Sequence, residues 1–486
     1  MLSSVCDAPI ETDILEFGFE ESNQEIYKTL LLSSYDIIYF HTDSESLDRV
    51  GIILEMLKKG VPTKVLVVGG MEVSFDTDRY MMRNPEIDFV FRGENEEILY
   101  NFVKTILEYK FDFESIPGLG YRENEEPVIN RVNTSLEFGE IPFPYEISNV
   151  LEEEIAYYES RRGNPDRCIY SQFFTESSLK ERSIGTICTE LRYFLVKKYK
   201  RVNVLDIWFN YNSDRAYRIW EFLINNDNGA TTFEFNVNGY MLDDETINLL
   251  SEAREGAFIF NIDVDSVNSE VLEACNRKEN SYQLLYNVNK LLQEGNIKVN
   301  VTQKIGLPLE DMNKFSKSFN KIYGMGADEI KYEILKIERG TKLSKDYNKY
   351  GYKFMRNYPN EIISSDFMNA KEVIKAFEIG NLVKKLNPKK NFEFSIPRIL
   401  NDIKMKPFQF FEKLLIFISN NKLEEKINDK MDRYRIIYEF ATRAYDDIND
   451  TLKLPIIMEI LRSDMENVST ENEINSFDKQ GFSLEY

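Results

Sequence analysis

The sequence predicts an α/β protein with two strand–helix regions followed by a helical C-terminal region. In the first 115 residues, and again from about 155 to 340, short apolar segments rich in branched residues alternate with segments of helical periodicity. From about residue 365 the apolar spacing is helical. Strand–helix–strand alternation implies parallel sheets with right-handed crossovers. The predicted divisions are an α/β domain at 1–115, a linker at 116–150, a partial β/α barrel at 151–345 and a mainly helical domain at 346–486.

The first region contains three predicted strands, each brief and bounded by polar residues or glycine. They cover 36–40, 64–68 and 87–91. Helices are predicted at 47–59 and 96–109, because apolar residues recur there on one helical face. Residues 116–150 are rich in proline and glycine, which favours a linker.

The second region repeats the alternation over a longer stretch. Its predicted strands cover 202–207, 232–237, 257–264, 298–303 and 329–335, with helices such as 213–224 and 244–253 between them. This order suits a partial β/α barrel. In the last region, 408–417 is a strongly apolar helical segment, and the polar tail from Glu466 is predicted to fray.

Composition limits the class of protein. Apolar residues make up 43% of the 486 residues and aromatic residues 13%, which is enough for sizeable cores. With 82 acidic and 60 basic residues the formal net charge is −22, which argues against nucleic acid or an anionic membrane as a partner. The sequence shows no secretory signal and no long apolar run, so a cytoplasmic location is expected. The single histidine, His41, excludes any site that needs two imidazoles.

The segment from Tyr157 to Ser171 reads YYESRRGNPDRCIYS. It resembles the cluster-binding loop of the radical S-adenosylmethionine (radical SAM) family, in which cysteines spaced C-x3-C-x2-C hold a four-iron cluster. In this register the three ligand positions are Asn164, Cys168 and Ser171. Iron–sulfur clusters need thiolates, and neither an amide nor a hydroxyl replaces one well. The resemblance therefore implies a vestigial cluster loop with Cys168 as its one remaining thiol.

Phrases in the first region resemble the cobalamin-binding domain found in one branch of that family. They are GGMEVS at 69–74, NPEIDFVFRGENEE at 84–97, GLGYR at 118–122 and IPFPY at 141–145. The resemblance implies weak cobalamin-like contacts from Gly69, Gly70, Glu72, Arg92, Gly93 and Glu94. The domain's first strand and helix have no counterpart, so this domain is truncated and cobalamin binding is expected to be weak or absent.

Further phrases extend the resemblance to the barrel and the C-terminal region. Asn276-Arg277 and the segment IGLPLED at 305–311 fit barrel phrases, and the helical C-terminus resembles the domain of unknown function appended in this subfamily. Two strands depart from the family. LDIWFN at 205–210 and NIDVDS at 261–266 stand where the family has VDRTFN and EIGVQS, so a carboxylate and a glycine are lost where S-adenosylmethionine would sit.

Four carboxylates are candidate catalytic groups at the mouth of the predicted barrel: Asp206, Glu234, Asp263 and Asp265. Asp263 and Asp265 occupy alternate positions of one predicted strand, so their side chains are expected to point the same way. If they face the interior, they could bind a cation or a basic peptide group, and otherwise they form a polar rim. Nearby, Arg161, Arg162 and Arg167 would lower the pKa of Cys168 if it is exposed, or they pair with nearby acids and have no such effect. Cys168 is interpreted as a vestigial ligand, a reactive thiol or a small buried residue, and the last two are favoured over a metal role.

Three functions are consistent with these features. The first is a catalytically degenerate radical SAM-like accessory subunit of a biosynthetic or modification pathway. It would bind a peptide, protein or small molecule, with an intact radical SAM paralogue or a peptide substrate as its partner. The second is an active cobalamin-dependent enzyme, for methyl transfer or other radical chemistry, with atypical cluster ligation. The third is a non-radical enzyme that uses the acidic mouth. The replaced ligands, altered strands and truncated domain favour the first, with cobalamin, S-adenosylmethionine and the cluster lost or weakened.

Overall fold

The computed structural model describes residues 11–132, 136–147, 154–172 and 179–482. Its N-terminal sheet has five strands in the order β1-β2-β3-β4-β5. Strands β1 (Ile37–His41), β2 (Val65–Gly69) and β3 (Phe89–Phe91) are parallel, and β4 (Leu119–Glu123) and β5 (Glu126–Ile129) continue the sheet antiparallel. The helices of this region are Asn23–Leu32, Leu47–Gly60, Met71–Phe75, Thr77–Arg83 and Asn95–Leu107.

The β4–β5 hairpin occupies part of the predicted linker. Its two turn residues, Asn124 and Glu125, have φ angles of 50° and 71°, as a tight two-residue hairpin turn requires. Asn130, just after β5, donates from Nδ2 to the carbonyl oxygens of Phe113 (2.7 Å) and Ile116 (2.8 Å). The structure thus differs from the prediction here, because the glycines and prolines belong to a hairpin that extends the first sheet.

The second sheet has six parallel strands in the order β13-β12-β11-β10-β9-β6. These are β6 (Ile155–Tyr158), β9 (Arg201–Val204), β10 (Thr232–Asn236), β11 (Phe258–Asp263), β12 (Lys298–Ile305) and β13 (Glu329–Ile334). Strands β7 (Arg161–Arg162) and β8 (Lys180–Glu181) pair antiparallel in a separate small sheet. Its connecting helices include Ile184–Lys197, Ser213–Asn225, Asp244–Ser251, Ser269–Ala274, Ser281–Glu294 and Met312–Tyr323. Adjacent strands follow one another along the chain, so the predicted partial barrel is confirmed.

Alternation along the barrel strands separates an apolar outer face from a polar inner face. Phe233 and Phe235 of β10 are buried in the main hydrophobic core, whereas Glu234 between them is only partly buried. In β11, Phe258 and Phe260 are likewise buried in this core, and the alternate positions hold Ile259, which is also buried, and the partly buried Asn261. The helices therefore cover the outer face, and polar side chains line the interior.

The C-terminal region is helical, as predicted, and shares its core with the barrel. The ring of Phe408 packs edge-on against Phe319 of the barrel at 5.4 Å. The helices here are Ala370–Leu386, Pro388–Asn391, Ser395–Asp402, Pro407–Asn420, Lys430–Asp447, Leu454–Val468 and Glu471–Gln480. Within the described ranges, every helix is too short or too polar to cross a lipid bilayer.

Candidate functional site

The segment 157–171, which resembles a cluster loop and is called the cluster-like loop, leaves β6 at the barrel mouth and is anchored by Asp206. Asp206 Oδ1 accepts hydrogen bonds from the backbone N–H of Ser160 (2.8 Å) and Arg161 (3.1 Å), and its Oδ2 accepts one from Ser160 Oγ (2.6 Å). Arg215 Nη2 donates to Ser160 Oγ at 2.6 Å and lies 3.7 Å from Asp206 Oδ2. Burial raises the pKa of Asp206, and the hydrogen bonds from Ser160 oppose that shift. Asp206 therefore positions the base of the loop.

Cys168 is buried at the end of a short chain of hydrogen bonds. Its Sγ lies 2.7 Å from Ser171 Oγ, and Ser171 Oγ donates to Asp166 Oδ2 at 3.0 Å. Because the one hydroxyl proton of Ser171 goes to Asp166, the thiol proton of Cys168 is the donor to Ser171. The other oxygen of Asp166 accepts from the backbone N–H of Cys168 at 2.9 Å. The thiol is thus held protonated, with its partner at the third predicted ligand position.

Asn164, at the first predicted ligand position, closes the same loop through its amide. Its Oδ1 accepts from the backbone N–H of Asp166 (2.8 Å), and its Nδ2 donates to the carbonyl oxygen of Gln172 (3.1 Å). These bonds connect Asn164 to Cys168 through Asp166. The amide, the carboxylate and the hydroxyl satisfy one another, so the loop keeps its path through its own side chains.

The predicted reactive thiol is not supported by the surroundings of Cys168. Burial raises the pKa of its thiol well above the ordinary value. The neighbouring arginines point to other partners: Arg161 Nη2 donates to the carbonyl oxygen of Trp208 at 2.7 Å, and Arg162 pairs with Glu159 at 2.8 Å. The alternative interpretation, a small buried residue, describes Cys168 better, because desolvation outweighs the local positive charge.

Asp265 is buried in an ion pair at the mouth of the barrel. Strand β11 ends at Asp263, and Asp265 has a left-handed φ of 59°. The strand alternation that predicted the same side-chain direction for Asp263 and Asp265 therefore does not reach Asp265. Its carboxylate pairs with the Arg277 guanidinium and accepts a hydrogen bond from the Tyr170 hydroxyl at 2.5 Å. Arg277 also donates to the carbonyl oxygen of Asp263 at 3.1 Å and lies 6.0 Å from the centre of the Trp208 ring. Asp263 and Asp265 therefore have different surroundings.

Asp263 has a solvent-accessible side chain in the barrel mouth, near the ammonium group of Lys304. Surrounding protein raises the pKa of Asp263, and the charge of Asp265 adds to the shift. Burial alone would lower the pKa of Lys304, but the carboxylates of Asp265 and Asp263 outweigh it and raise that pKa. Two cations, Lys304 and Arg277, therefore balance two of the predicted acidic groups.

Glu234 belongs to a row of polar side chains across the inner face of the barrel. Its Oε1 accepts from Asn261 Nδ2 at 2.8 Å, and Asn261 Oδ1 accepts from Asn300 Nδ2 at 3.0 Å. Arg201 Nη1 lies 3.6 Å from the other oxygen of Glu234. This row gives the interior alternating donors and acceptors, which suits a polar ligand.

The predicted cobalamin-like residues Gly69, Gly70 and Glu72 lie where β2 meets the helix Met71–Phe75. Gly70 has a φ of 120°, and a Cβ there would lie 2.0 Å from the carbonyl oxygen of Thr42, so this position requires glycine. Glu72 is buried, and its Oε1 accepts a hydrogen bond from Gln172 Nε2 at 2.9 Å. The turn therefore contacts the end of the cluster-like loop directly.

The second group of predicted cobalamin-like residues follows β3. Arg92 and Gly93 form hydrogen bonds within the N-terminal domain. Glu94 pairs with Lys180 at 3.0 Å and lies 3.7 Å from Arg162 Nη1 in the cluster-like loop. Glu94 of the N-terminal domain is thus joined by charge to Lys180 of the barrel region and to Arg162 of the cluster-like loop.

Two segments of the chain match known family models. Residues 160–344 match the family model described as Radical SAM superfamily. We refer to residues 160–344, which are similar to that superfamily, as the radical SAM region. Residues 348–483 match the model described as a protein of unknown function, DUF4080. No curated protein matches the chain.

Solved structures show the same fold over most of the chain. Apo, selenomethionine-labelled OxsB, a cobalamin-dependent S-adenosylmethionine radical enzyme, superposes with a TM-score of 0.61 at 15% identity, covering 94% of this chain and 76% of that one. The radical S-adenosylmethionine methyltransferase TsrM from Kitasatospora setae, with tryptophan substrate and an S-adenosylmethionine analogue bound, gives a TM-score of 0.56 at 14% identity, covering 70% and 71%. At these identities the likeness establishes the fold.

The loop of the radical SAM region does not fit a four-iron cluster. Its three aligned positions hold an amide, a protonated buried thiol and a hydroxyl, and cluster irons need several thiolates. Across the described ranges, no group of three His, Cys, Asp or Glu side chains is placed to hold a metal ion.

Several residues that shape this site were not assigned a role from the sequence. Asp166 is one of them, although its position between Asn164 and Cys168 was a usable signal. Arg277 stood in a recognised phrase, but nothing local pointed to its partner Asp265. Gln172 follows the loop and bonds a residue 100 positions away, which no local pattern indicates.

Glu310 in the radical SAM region should make stability depend on pH. It is fully buried, its Oε2 accepts from the backbone N–H of Gly306 (3.2 Å) and Leu307 (3.4 Å), and burial raises its pKa from 4.5 to about 8. The folded state then keeps a proton that the unfolded chain has released, so folding weakens as pH rises from about 4.5 to 8. We expect Glu310→Gln to be more stable than wild type by about 4 kcal/mol at pH 8 and nearly equal at pH 4.5.

Urea unfolding of both proteins at these two pH values measures the difference. Glu424→Gln, at an exposed position, is the matched control and should track wild type at both. A stability gain from Glu310→Gln that is the same at both pH values would contradict the assignment.

Proposed function

We propose that this protein keeps the radical SAM fold without the cluster chemistry and acts as an accessory subunit of a biosynthetic or modification pathway. The observation that carries the proposal is the hydrogen-bond chain from Cys168 through Ser171 to Asp166, which occupies the groups a cluster would need. Its partner would be an intact radical SAM relative or a peptide substrate. Co-purification with such a relative is the measurement that checks the partner.

The barrel mouth is the proposed binding surface for a peptide, protein or small molecule. Asp263 and Lys304 place opposite charges beside each other there. Glu234 and Asn261 continue a row of donors and acceptors into the interior. A ligand with both an amino and a carboxylate group could pair with these groups, and a protein without a cluster could still bind it.

Iron content tests the loss of cluster chemistry. Protein purified without oxygen should be colourless and should contain well below about one iron per chain, because one buried thiol cannot retain a four-iron cluster. Iron analysis and the visible absorption spectrum measure this directly. A brown protein with about four iron ions per chain would instead support an active radical enzyme with atypical ligands.

Cobalamin binding is proposed to be weak or absent. Glu72, one of the predicted corrin contacts, is already engaged by Gln172 Nε2 at 2.9 Å. Dialysis against hydroxocobalamin, followed by visible spectroscopy, should leave far less than one cobalamin per chain. Stoichiometric retention that is lost in Glu72→Ala would show a competent corrin site and contradict this part of the proposal.

A further inference from the structure

A cleft of about 660 Å³ lies between helices of the C-terminal region, away from the barrel mouth. Five cationic side chains line it, together with three asparagines and Val468. The cations are Lys384 and Lys385 from the helix Ala370–Leu386, Lys390 from the helix Pro388–Asn391, and Lys430 and Arg433 from the helix Lys430–Asp447. Three separate helices therefore direct positive charge into one concave space.

Most of this charge is not neutralised by the protein. Within the described part of the chain, Lys384, Lys385 and Lys390 form no ion pair, and Arg433 donates to the backbone carbonyl oxygens of Ile427 and Asn428 at 3.0 Å. Lys430 pairs with Glu473 at 3.2 Å. The chain as a whole carries a net charge of −22, so a concave concentration of cations stands out against its composition.

Helix stability does not account for this arrangement. Lys384 and Lys385 lie in the last turn of their helix, where the helix dipole favours cations. Lys430 and Arg433 lie at the start of theirs, where the dipole disfavours cations. Lys430 is held there by the carbonyl oxygen of Val468 at 2.7 Å and by Glu473, and Arg433 by its two carbonyl partners. The exposed Lys384, Lys385 and Lys390 are therefore the cations of the cleft that remain available to an anion.

We propose that this cleft binds a small polyanion, a molecule that carries two or more phosphate or carboxylate groups. Its volume falls in the range of about 300–1,000 Å³ typical of small-molecule pockets. The lysine ammonium groups would act as point charges, and the Arg433 guanidinium and the asparagine amides would supply directional donors. The site is separate from the barrel mouth, so it stands whether or not the barrel binds a ligand.

Isothermal titration of the full-length protein with inorganic triphosphate, and separately with citrate, tests the proposal. We expect one binding event per chain, weaker at about 0.15 M salt than at low salt because the interaction is electrostatic. The variant Lys384→Glu/Lys385→Glu should weaken it by about tenfold or more. Lys390→Glu, on a different helix, should weaken it in the same direction.

The matched control is Lys28→Glu/Lys371→Glu, which makes the same change in net charge at exposed positions outside the cleft. It should bind within about twofold of wild type. If only triphosphate binds, the ligand of the cleft carries phosphate groups. If only citrate binds, the ligand carries carboxylate groups. The proposal is overturned if neither anion binds, if an acidic peptide binds while both small anions fail, or if the control loses as much affinity as the cleft variant.

Discussion

Reconstituted anaerobically with iron and sulfide, the variant Asn164→Cys/Ser171→Cys should hold about four iron ions per chain, whereas wild type should hold fewer than about one. The two substitutions restore the C-x3-C-x2-C spacing around Cys168. They also remove the hydroxyl 2.7 Å from Cys168 Sγ that accepts the thiol proton, and the amide that closes the loop. Three thiols on one loop can then be deprotonated by iron, which compensates for the raised pKa of Cys168. Iron analysis and electron paramagnetic resonance after reduction measure the outcome.

Two controls separate ligation from a general loosening of the loop. Asn164→Ser/Ser171→Ala changes the same positions without adding thiols and should stay free of iron. Adding Cys168→Ala to the double cysteine variant should abolish the signal. If wild type already shows a cluster signal that disappears in Cys168→Ala, the proposed loss of chemistry is wrong and the protein is a radical enzyme with unusual ligands.

Replacing Arg277 by methionine should destabilise the protein by about 3–5 kcal/mol, because the buried Asp265 would lose its counter-charge. Asp265 is 1% exposed, and its hydrogen bond from the Tyr170 hydroxyl cannot neutralise a charge. Denaturant unfolding at neutral pH measures the loss. The double variant Asp265→Asn/Arg277→Met should recover much of it, since asparagine is neutral and tolerates the left-handed φ of 59°.

Lys200→Met is the matched control, because Lys200 and Glu154 form an ion pair of 3.0 Å in which both side chains are 74% exposed. Removing this pair should cost about 1 kcal/mol or less. A cost for Arg277→Met no larger than that of Lys200→Met would show that the buried pair does not stabilise the barrel mouth.

Much of the fold could be predicted from the sequence because its signals are local. The barrel strands and the helices between them follow from the periodicity of apolar residues, and the six-stranded parallel sheet confirms this. The hairpin at 119–129 was missed because its glycines and prolines mark a turn as readily as a linker. The helix Glu471–Gln480 was missed because it is mostly polar, and its contacts are with residues far along the chain: the buried ring of Phe477 packs against Arg435 at 4.7 Å.

For the candidate site, the sequence indicates individual residues, whereas their partners come from the structure. Counting along the loop indicates Asn164, Cys168 and Ser171 as counterparts of the three ligand positions, and this assignment stays a prediction. The four carboxylates were predicted as an acidic mouth. Their cationic partners, such as Arg215 for Asp206 and Arg277 for Asp265, could not be predicted from local spacing.

The sequence by itself determined the order of the strands and helices and the residue types along the cluster-like loop, since both can be read at fixed local spacing. Only the tertiary structure decided that Cys168 is buried and protonated, that Asp263 and Asp265 have different surroundings, and that cations from three helices meet in one cleft. The physical reason is that burial and electrostatic pairing depend on distances in space between residues far apart along the chain. Tyr170 and Asp265, 95 positions apart, share one hydrogen bond of 2.5 Å.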